Sequence, residues 1–243
     1  MFRHTAHVYD LLYEATGKDY AAESDTLHAL IQERSPGATS LLDVACGTGG
    51  HLVHLRQWYE VVGVDVDPGM LDEARRRLPG EAFLEADMRH LSLDRTFDVV
   101  SCLFSSIGYM SSEEDLDSAV SAMVSHLCPG GVFVMDGWVR PDAWMDDHPI
   151  HLLSASDARV TVARMSRSRH EGNKTFLDMH YLIGSRRGLD HEVEVHEMTL
   201  FQPTQYEAAL HHAGLIAIET VPSPLPGRDR YIGVTRLTDQ EEH

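Results

Sequence analysis

The chain has 243 residues, with 20 lysines and arginines against 38 aspartates and glutamates, a formal net charge of −18. That balance argues against nucleic acid and acidic membrane surfaces as partners, and an anionic substrate would have to meet locally clustered basic residues. No window approaches the ~20 apolar residues of a bilayer span and the N-terminus lacks an apolar leader, so a cytoplasmic protein with one large core is expected.

From Ala21 to Leu127 strands and helices alternate as repeated βα units. "TSLLDVAC" is a bounded apolar run, "HLVHLRQWY" has helical spacing, and "EVVGVDV" is a second strand followed by "PGMLDEARRRL", with Pro68 near a helix start. "AFLEAD" and "FDVVSCLF" read as strands three and four, "SEEDLDSAVSAMVSHL" as a helix with an acidic first turn, and "GGVFVMDGW" as strand five. Buried parallel strands separated by helices predict an α/β fold with a doubly wound, mostly parallel sheet. From about Asp142 the pattern turns antiparallel: two β-rich runs flank "HEGNK", and "HEVEVHEMTLF" alternates with period two. The chain then returns to helix in "QPTQYEAALHHAGL", with Gly214 as its C-cap, and to strand in "IAIETV" and "RYIGVTRL".

The three cysteines, Cys46, Cys102 and Cys128, lie in apolar runs and read as reduced core thiols. Among 16 histidines, "HLVH" and "HH" lack a third ligand at usable spacing, so no metal is expected.

The stretch "LLDVACGTGG" is a strand, a glycine turn and a helix start, where Asp43, Ala45, Gly47 and Gly49 let a ligand approach the backbone. A dinucleotide fingerprint would need a third glycine where Leu52 stands, so the nicotinamide reading fails. Asp65 ends the second strand, where a carboxylate can accept both hydroxyls of a ribose. Asp87 ends the third, where it can accept an adenine amine while Met70 and Met88 contact the ring. Asp43 can face a ligand ammonium, and helix N–H groups can face a carboxylate. Ribose, adenine, ammonium and carboxylate on one molecule describe S-adenosylmethionine.

On these motifs, and on "VYDLLYEATGKDYAAE", "FSSIGYM", "EGNKTFLDMHYLI" and "TLFQPTQYEAALHHAGL", the chain resembles the class I methyltransferases that dimethylate dTDP-linked aminosugars in macrolide deoxysugar biosynthesis. The resemblance implies a seven-stranded Rossmann-like sheet and a homodimer. It implies a helical lid over residues 1–36, a cofactor-binding core over 37–141 and 203–238, and an antiparallel insertion for the acceptor over 142–202. It places cofactor contacts at Tyr9, Tyr20, Ala45, Asp65, Asp87, Met88 and Leu103, with Asp65 standing where most relatives have glutamate. For the diphosphate it points to Arg164, Ser168 and Arg228, with Arg167 where relatives tend to have histidine, and for the sugar to Phe2.

The residues themselves mark Arg164, Arg167, Arg228 and Arg230 as candidate diphosphate partners, although Arg164 and Arg167 face opposite sides of a regular strand. Trp138 and Arg140 follow strand five, where the acceptor pocket should open, and Trp138 can either stack on the ligand or pack in the core. Tyr109, after strand four, is the candidate for positioning and proton handling, with a loss below about tenfold expected on its replacement by phenylalanine. A small-molecule N- or O-methyltransferase with a non-nucleotide acceptor is the alternative.

Overall fold

The computed structural model describes residues 5–237, so Phe2 lies outside the described residues. Two helices, α1 (Ala6–Ala15) and α2 (Tyr20–Arg34), precede the first βα units. These run β1 (Ser40–Val44), α3 (Leu52–Leu55), β2 (Glu60–Asp65), α4 (Pro68–Arg77), β3 (Ala82–Glu85), β4 (Phe97–Cys102), α5 (Glu113–Val124) and β5 (Leu127–Asp136). Then come β6 (His151–Ser156), β7 (Val160–Glu171), β8 (Lys174–Ser185), β9 (Gly188–Thr199), α6 (Pro203–His212), β10 (Ile216–Pro222) and β11 (Asp229–Val234).

Seven strands form one sheet in the order β10-β11-β5-β4-β1-β2-β3. All neighbours pair in parallel except β11, which is antiparallel to both β5 and β10. This is the doubly wound, mostly parallel sheet that the sequence predicts. Apolar side chains fill both faces: Val100, Phe133 and Tyr206 belong to one layer, and Leu41, Val99 and Val134 to the other. Local chemistry fixes the helix starts. Asp67 accepts the Gly69 N–H ahead of Pro68, and Asp19 accepts the Ala22 N–H at the head of α2.

Two elements depart from expectation. The run "HLVHLRQWY" yields only the four residues of α3, because Trp58 and Tyr59 turn back onto α2, where His28 stacks on Trp58 at 4.1 Å and its Nδ1 meets the Tyr59 hydroxyl. The strand β6 was not anticipated. Its apolar residues lack alternation, and Leu152 is 65% exposed.

The strands β6 to β9 form a separate antiparallel sheet with unbroken register between β7 and β8. Its inner face holds α1, with Val8 and Leu12 packed on Val162, Met179, Tyr181 and Ile183. Its outer face carries Leu152, Met165, Leu182, Leu189, Val193 and Val195, each at least half exposed. No helix among the described residues is long and apolar enough to cross a membrane.

Candidate functional site

A cavity of about 260 Å³ opens at the C-terminal ends of β1, β2 and β4, where ligands bind in open α/β sheets. It is lined by Tyr9, Tyr20, Asp43, Ala45, Gly47, Asp65, Met70, Asp87, Met88, Leu103 and Tyr109, so eleven of the residues singled out above converge on it. Gly49 is not among them. It turns toward α4 and β3, where an added Cβ would touch Ala74, Leu78 and Phe83.

The carboxylates in the cavity differ in how they are held. Asp43 is buried with no cation beside it, and burial pushes its carboxyl up to about 7, although the Ser101 hydroxyl donates to it at 2.7 Å. A buried carboxyl in that condition is suited to a ligand ammonium. Asp65 is pinned by backbone donors, the Gly47 N–H at 2.8 Å and the Asp67 N–H at 2.9 Å, one on each oxygen. Asp87 is gripped by Arg89, whose Nε lies 3.0 and 3.1 Å from the two oxygens, and these bonds hold the carboxyl below its ordinary value. Arg89, which the sequence reading missed, also lines the cavity.

Charge and shape tie α1 and α2 to the glycine turn. Asp10 of α1 accepts from Thr48 in the glycine turn at 2.7 Å and from Arg77 of α4. Lys18 bonds Glu23, which also meets His51 Nε2 at 2.9 Å, and the Lys18 ammonium lies 4.0 Å from the centre of the Phe104 ring. Tyr20 rests on the turn because residue 50 is glycine: a Cβ there would lie 2.8 Å from its ring. Asp10, Lys18 and Glu23 lie within "VYDLLYEATGKDYAAE" and Thr48 within "LLDVACGTGG", but nothing in those stretches says which side chains pair across them.

After β4 the backbone adopts left-handed φ at two non-glycine residues, Phe104 (57°) and Ser105 (67°). Such strain, ~1–3 kcal/mol per residue, persists only where surrounding bonds over-determine it. Here the Phe104 N–H donates to Asp136 at 3.0 Å and the Ser105 hydroxyl donates to the Gly137 carbonyl at 2.7 Å. Asp136 is in turn clamped by Arg230, with Nε at 2.7 Å. Arg230 is therefore committed to structure and not to a ligand diphosphate. The loop delivers Tyr109, whose hydroxyl lies 2.7 Å from His196 Nδ1.

Arg164 is buried on the inner face of β7, its guanidinium 5.4 Å from the Tyr13 ring. Arg228 lies 4.4 Å from the Trp138 ring, and burial pulls its pKa down. Neither arginine pairs with a carboxylate among the described residues, and the Nε of each is buried without a partner. Two desolvated cations, each with an unpartnered buried Nε and no ion pair among the described residues, mark a place for an anion. Ser168 shares the face of Arg164 and is half-buried. Arg167 is not brought to this group: the unbroken β7 register leaves no bulge to turn it, so it stands exposed on the opposite face beside Asp178. Trp138 is buried, its indole N–H donating to Thr175 at 3.0 Å, and Arg140 is held by Asp229 and Asp142.

A family model described as a methyltransferase domain matches residues 41–131. A dTDP-3-amino-3,4,6-trideoxy-alpha-D-glucopyranose N,N-dimethyltransferase of Streptomyces venezuelae is 42% identical over 94% of this chain and 97% of its own. The crystal structure of Streptomyces venezuelae DesVI superposes with a TM-score of 0.88 at 40% identity, covering 95% of this chain and 98% of that one. CalS10 with bound S-adenosylmethionine, an amino pentose methyltransferase from Micromonospora echinaspora involved in calicheamicin biosynthesis, gives 0.82 at 35% identity, covering 93% and 96%.

Proposed function

The chain belongs to the family of S-adenosylmethionine-dependent dTDP-aminosugar N,N-dimethyltransferases, and on that footing we propose that it adds two methyl groups to the amine of a dTDP-linked deoxyaminohexose destined for an antibiotic. The observation that carries the substrate reading is the pair of Arg164, buried, and Arg228, half-buried, each with a buried Nε that lacks a partner and neither paired with a carboxylate among the described residues, in a protein of net charge −18. A diphosphate supplies the charge that this pair lacks.

S-adenosylmethionine, when bound, supplies an electrophilic methyl group on a sulfonium. Asp65 would hold its ribose, Asp43 its ammonium, and Met70 and Met88 the faces of its adenine. The Asp87 carboxylate needs Arg89 to yield one oxygen for the adenine amine. Tyr9 and Tyr20 of the lid would exclude water from above. The acceptor amine in its free-base form is already a competent nucleophile, so the protein's main contribution is to hold nitrogen and methyl in line, worth ~7 kcal/mol or more of the barrier. On this reading each ligand has its own wall: the parallel sheet and the N-terminal helices for the cofactor, the antiparallel insertion together with Arg228 for the sugar nucleotide.

A homodimer joined through the apolar outer face of the β6–β9 sheet belongs to the same reading, supported by six large apolar side chains left at least half exposed there. A cytoplasmic setting fits three free cysteines.

The test is mass spectrometry of the protein with S-adenosylmethionine and a panel of dTDP-3-amino and dTDP-4-amino deoxyhexoses. Two added methyl masses on one member are expected. In parallel, Arg164→Gln and Arg228→Gln should each weaken binding of free dTDP by about tenfold or more, roughly the loss of one charge-assisted bond. No measurable dTDP binding to the wild type would overturn the nucleotide assignment and leave a methyltransferase of smaller acceptors.

A further inference from the structure

Orientation explains methyl transfer to an amine, but it does not say where the amine's proton goes. An aminosugar reaches the enzyme largely as ammonium, and the proton must leave before nitrogen can attack. Tyr109 lines the cavity and closes the short helical turn, Ser106 to Tyr109, that follows the strained residues after β4. Behind it lies a row of polar side chains that the inner face of β9 buries where apolar residues would ordinarily sit. His196 is 3% exposed and Glu194 9%. The Tyr109 hydroxyl meets His196 Nδ1 at 2.7 Å, His196 Nε2 lies 3.3 Å from Glu194 Oε2, and the buried Thr5 hydroxyl donates to Glu194 Oε1 at 2.7 Å.

We propose that Tyr109, His196 and Glu194 form a relay that takes up the acceptor amine's proton, with His196 accepting it through the Tyr109 hydroxyl and Glu194 as the positioning residue behind the imidazole. The proposal rests on the aminosugar reading above. Its logic is one of directionality. Glu194 accepts from Thr5 at one oxygen, and with its other oxygen as the acceptor Nε2 of His196 carries the hydrogen and Nδ1 presents a lone pair. Tyr109 must then donate to Nδ1, which leaves its oxygen to accept an N–H from the acceptor ammonium. In the step, one N–H bond breaks with its electron pair kept on nitrogen. The proton joins the Tyr109 oxygen while the phenol's own proton passes to Nδ1, and the imidazolium so formed lies against Glu194. The proton returns to solvent by the same route once product leaves, and the path serves again for the second methylation.

Among the described residues Tyr13 of α1, Tyr181 of β8, Glu194 and Asp65 act on Tyr109, Tyr9 of α1 is coupled to it, and burial above all drives its phenol upward. The phenol is therefore a neutral conduit and not a stored phenolate. Three tyrosines and two carboxylates around it supply no cation that would compete with the incoming ammonium.

Nitrogen-15 NMR of histidine-labelled, unliganded full-length protein reads the tautomer directly. The expected result is protonated Nε2 and a hydrogen-bonded Nδ1 on His196, with the Nδ1 signal moving in Tyr109→Phe. The kinetic test uses S-adenosylmethionine and dTDP-3-amino-3,4,6-trideoxy-alpha-D-glucopyranose as probe. His196→Gln and Glu194→Gln should lose up to about tenfold in rate near pH 7 and recover the wild-type rate by about pH 9, since the fraction of free amine caps what the path can contribute. Tyr109→Phe, which leaves the β9 pair in place, should give the same profile and serves if the buried variants fold poorly. A loss of equal size at every pH, or a protonated Nδ1, would overturn the path. If the wild type turns over no aminosugar, the parent reading fails and the tautomer and its response to Tyr109→Phe decide the hydrogen-bond chain alone.

Discussion

Asp43→Asn separates what the cofactor site does for binding from what it costs the unliganded fold. At ~1.4 kcal/mol for each pH unit between the ordinary carboxylate value and about 7, keeping Asp43 ionised costs the empty protein about 4 kcal/mol. Burial raises the folded-state pKa, so between about pH 4 and pH 7 the folded state holds more protons than the unfolded one. Stability contributed by the protonated form is therefore complete below pH 4 and lost as the pH rises through 7. An asparagine removes the ionisation, and its carbonyl can still accept from Ser101, which donates at 2.7 Å. Denaturant titrations of the unliganded protein at pH 5 and pH 8 should show the variant gaining up to about 4 kcal/mol on the wild type at pH 8, and much less at pH 5. Calorimetry at pH 8 should show the opposite for the ligand. Losing the partner of a buried ammonium costs about 2 kcal/mol or more, roughly a 30-fold rise in the Kd of S-adenosylmethionine. A variant that is no more stable at pH 8, or one that binds S-adenosylmethionine as the wild type does, would refute the assignment of Asp43 to the ligand's ammonium.

Gly50→Ala places a methyl group 2.8 Å from the Tyr20 ring, so the lid must lift. The Kd of S-adenosylmethionine is expected to rise by about tenfold while the melting temperature hardly moves, because the loss falls on closure and not on the core. Arg230→Met leaves Asp136 buried without its cation, and urea denaturation should find about 3 kcal/mol lost; a change under about 1 kcal/mol would mean that backbone donors alone hold that carboxylate. Leu182→Lys with Val193→Lys puts charges on the exposed apolar sheet face that the proposed homodimer would bury, and analytical ultracentrifugation should find the wild type dimeric and the variant monomeric at the same concentration. A double variant that stays dimeric would move the interface elsewhere.

The cofactor half of the site is legible in the sequence because each part is local. Asp43 to Gly47, Asp65 and Asp87 fall at successive strand ends, one βα unit apart, and strand ends on one edge of a parallel sheet meet wherever the helices go. The acceptor half is not local. Tyr109 and His196 lie 87 residues apart in the chain and meet only because β9 passes the loop after β4. Alternation did predict two faces for "HEVEVHEM", but ordinary hydrophobic reasoning would turn the valines inward. The structure does the reverse, with Val195 57% exposed and His196 3%. Register explains the same kind of split on β7, where Arg164 and Ser168 face in and Arg167 faces out.

That inversion on β9 has an energetic meaning. Burying a carboxylate and an imidazole while two valines stand in water forgoes apolar burial of ~1.5 kcal/mol or more per side chain and desolvates a charge as well. The valines can recover their share if a second copy covers the outer face, but covering that face does nothing for Glu194. Its compensation is internal, from Thr5 and His196, and the last member of that chain opens onto the cofactor cavity. A stretch in which acidic and imidazole residues take the alternate positions of a buried strand, with valines between them, is therefore a readable sign of a site even without a motif. What it lacks is the partner's address, which only the fold supplies.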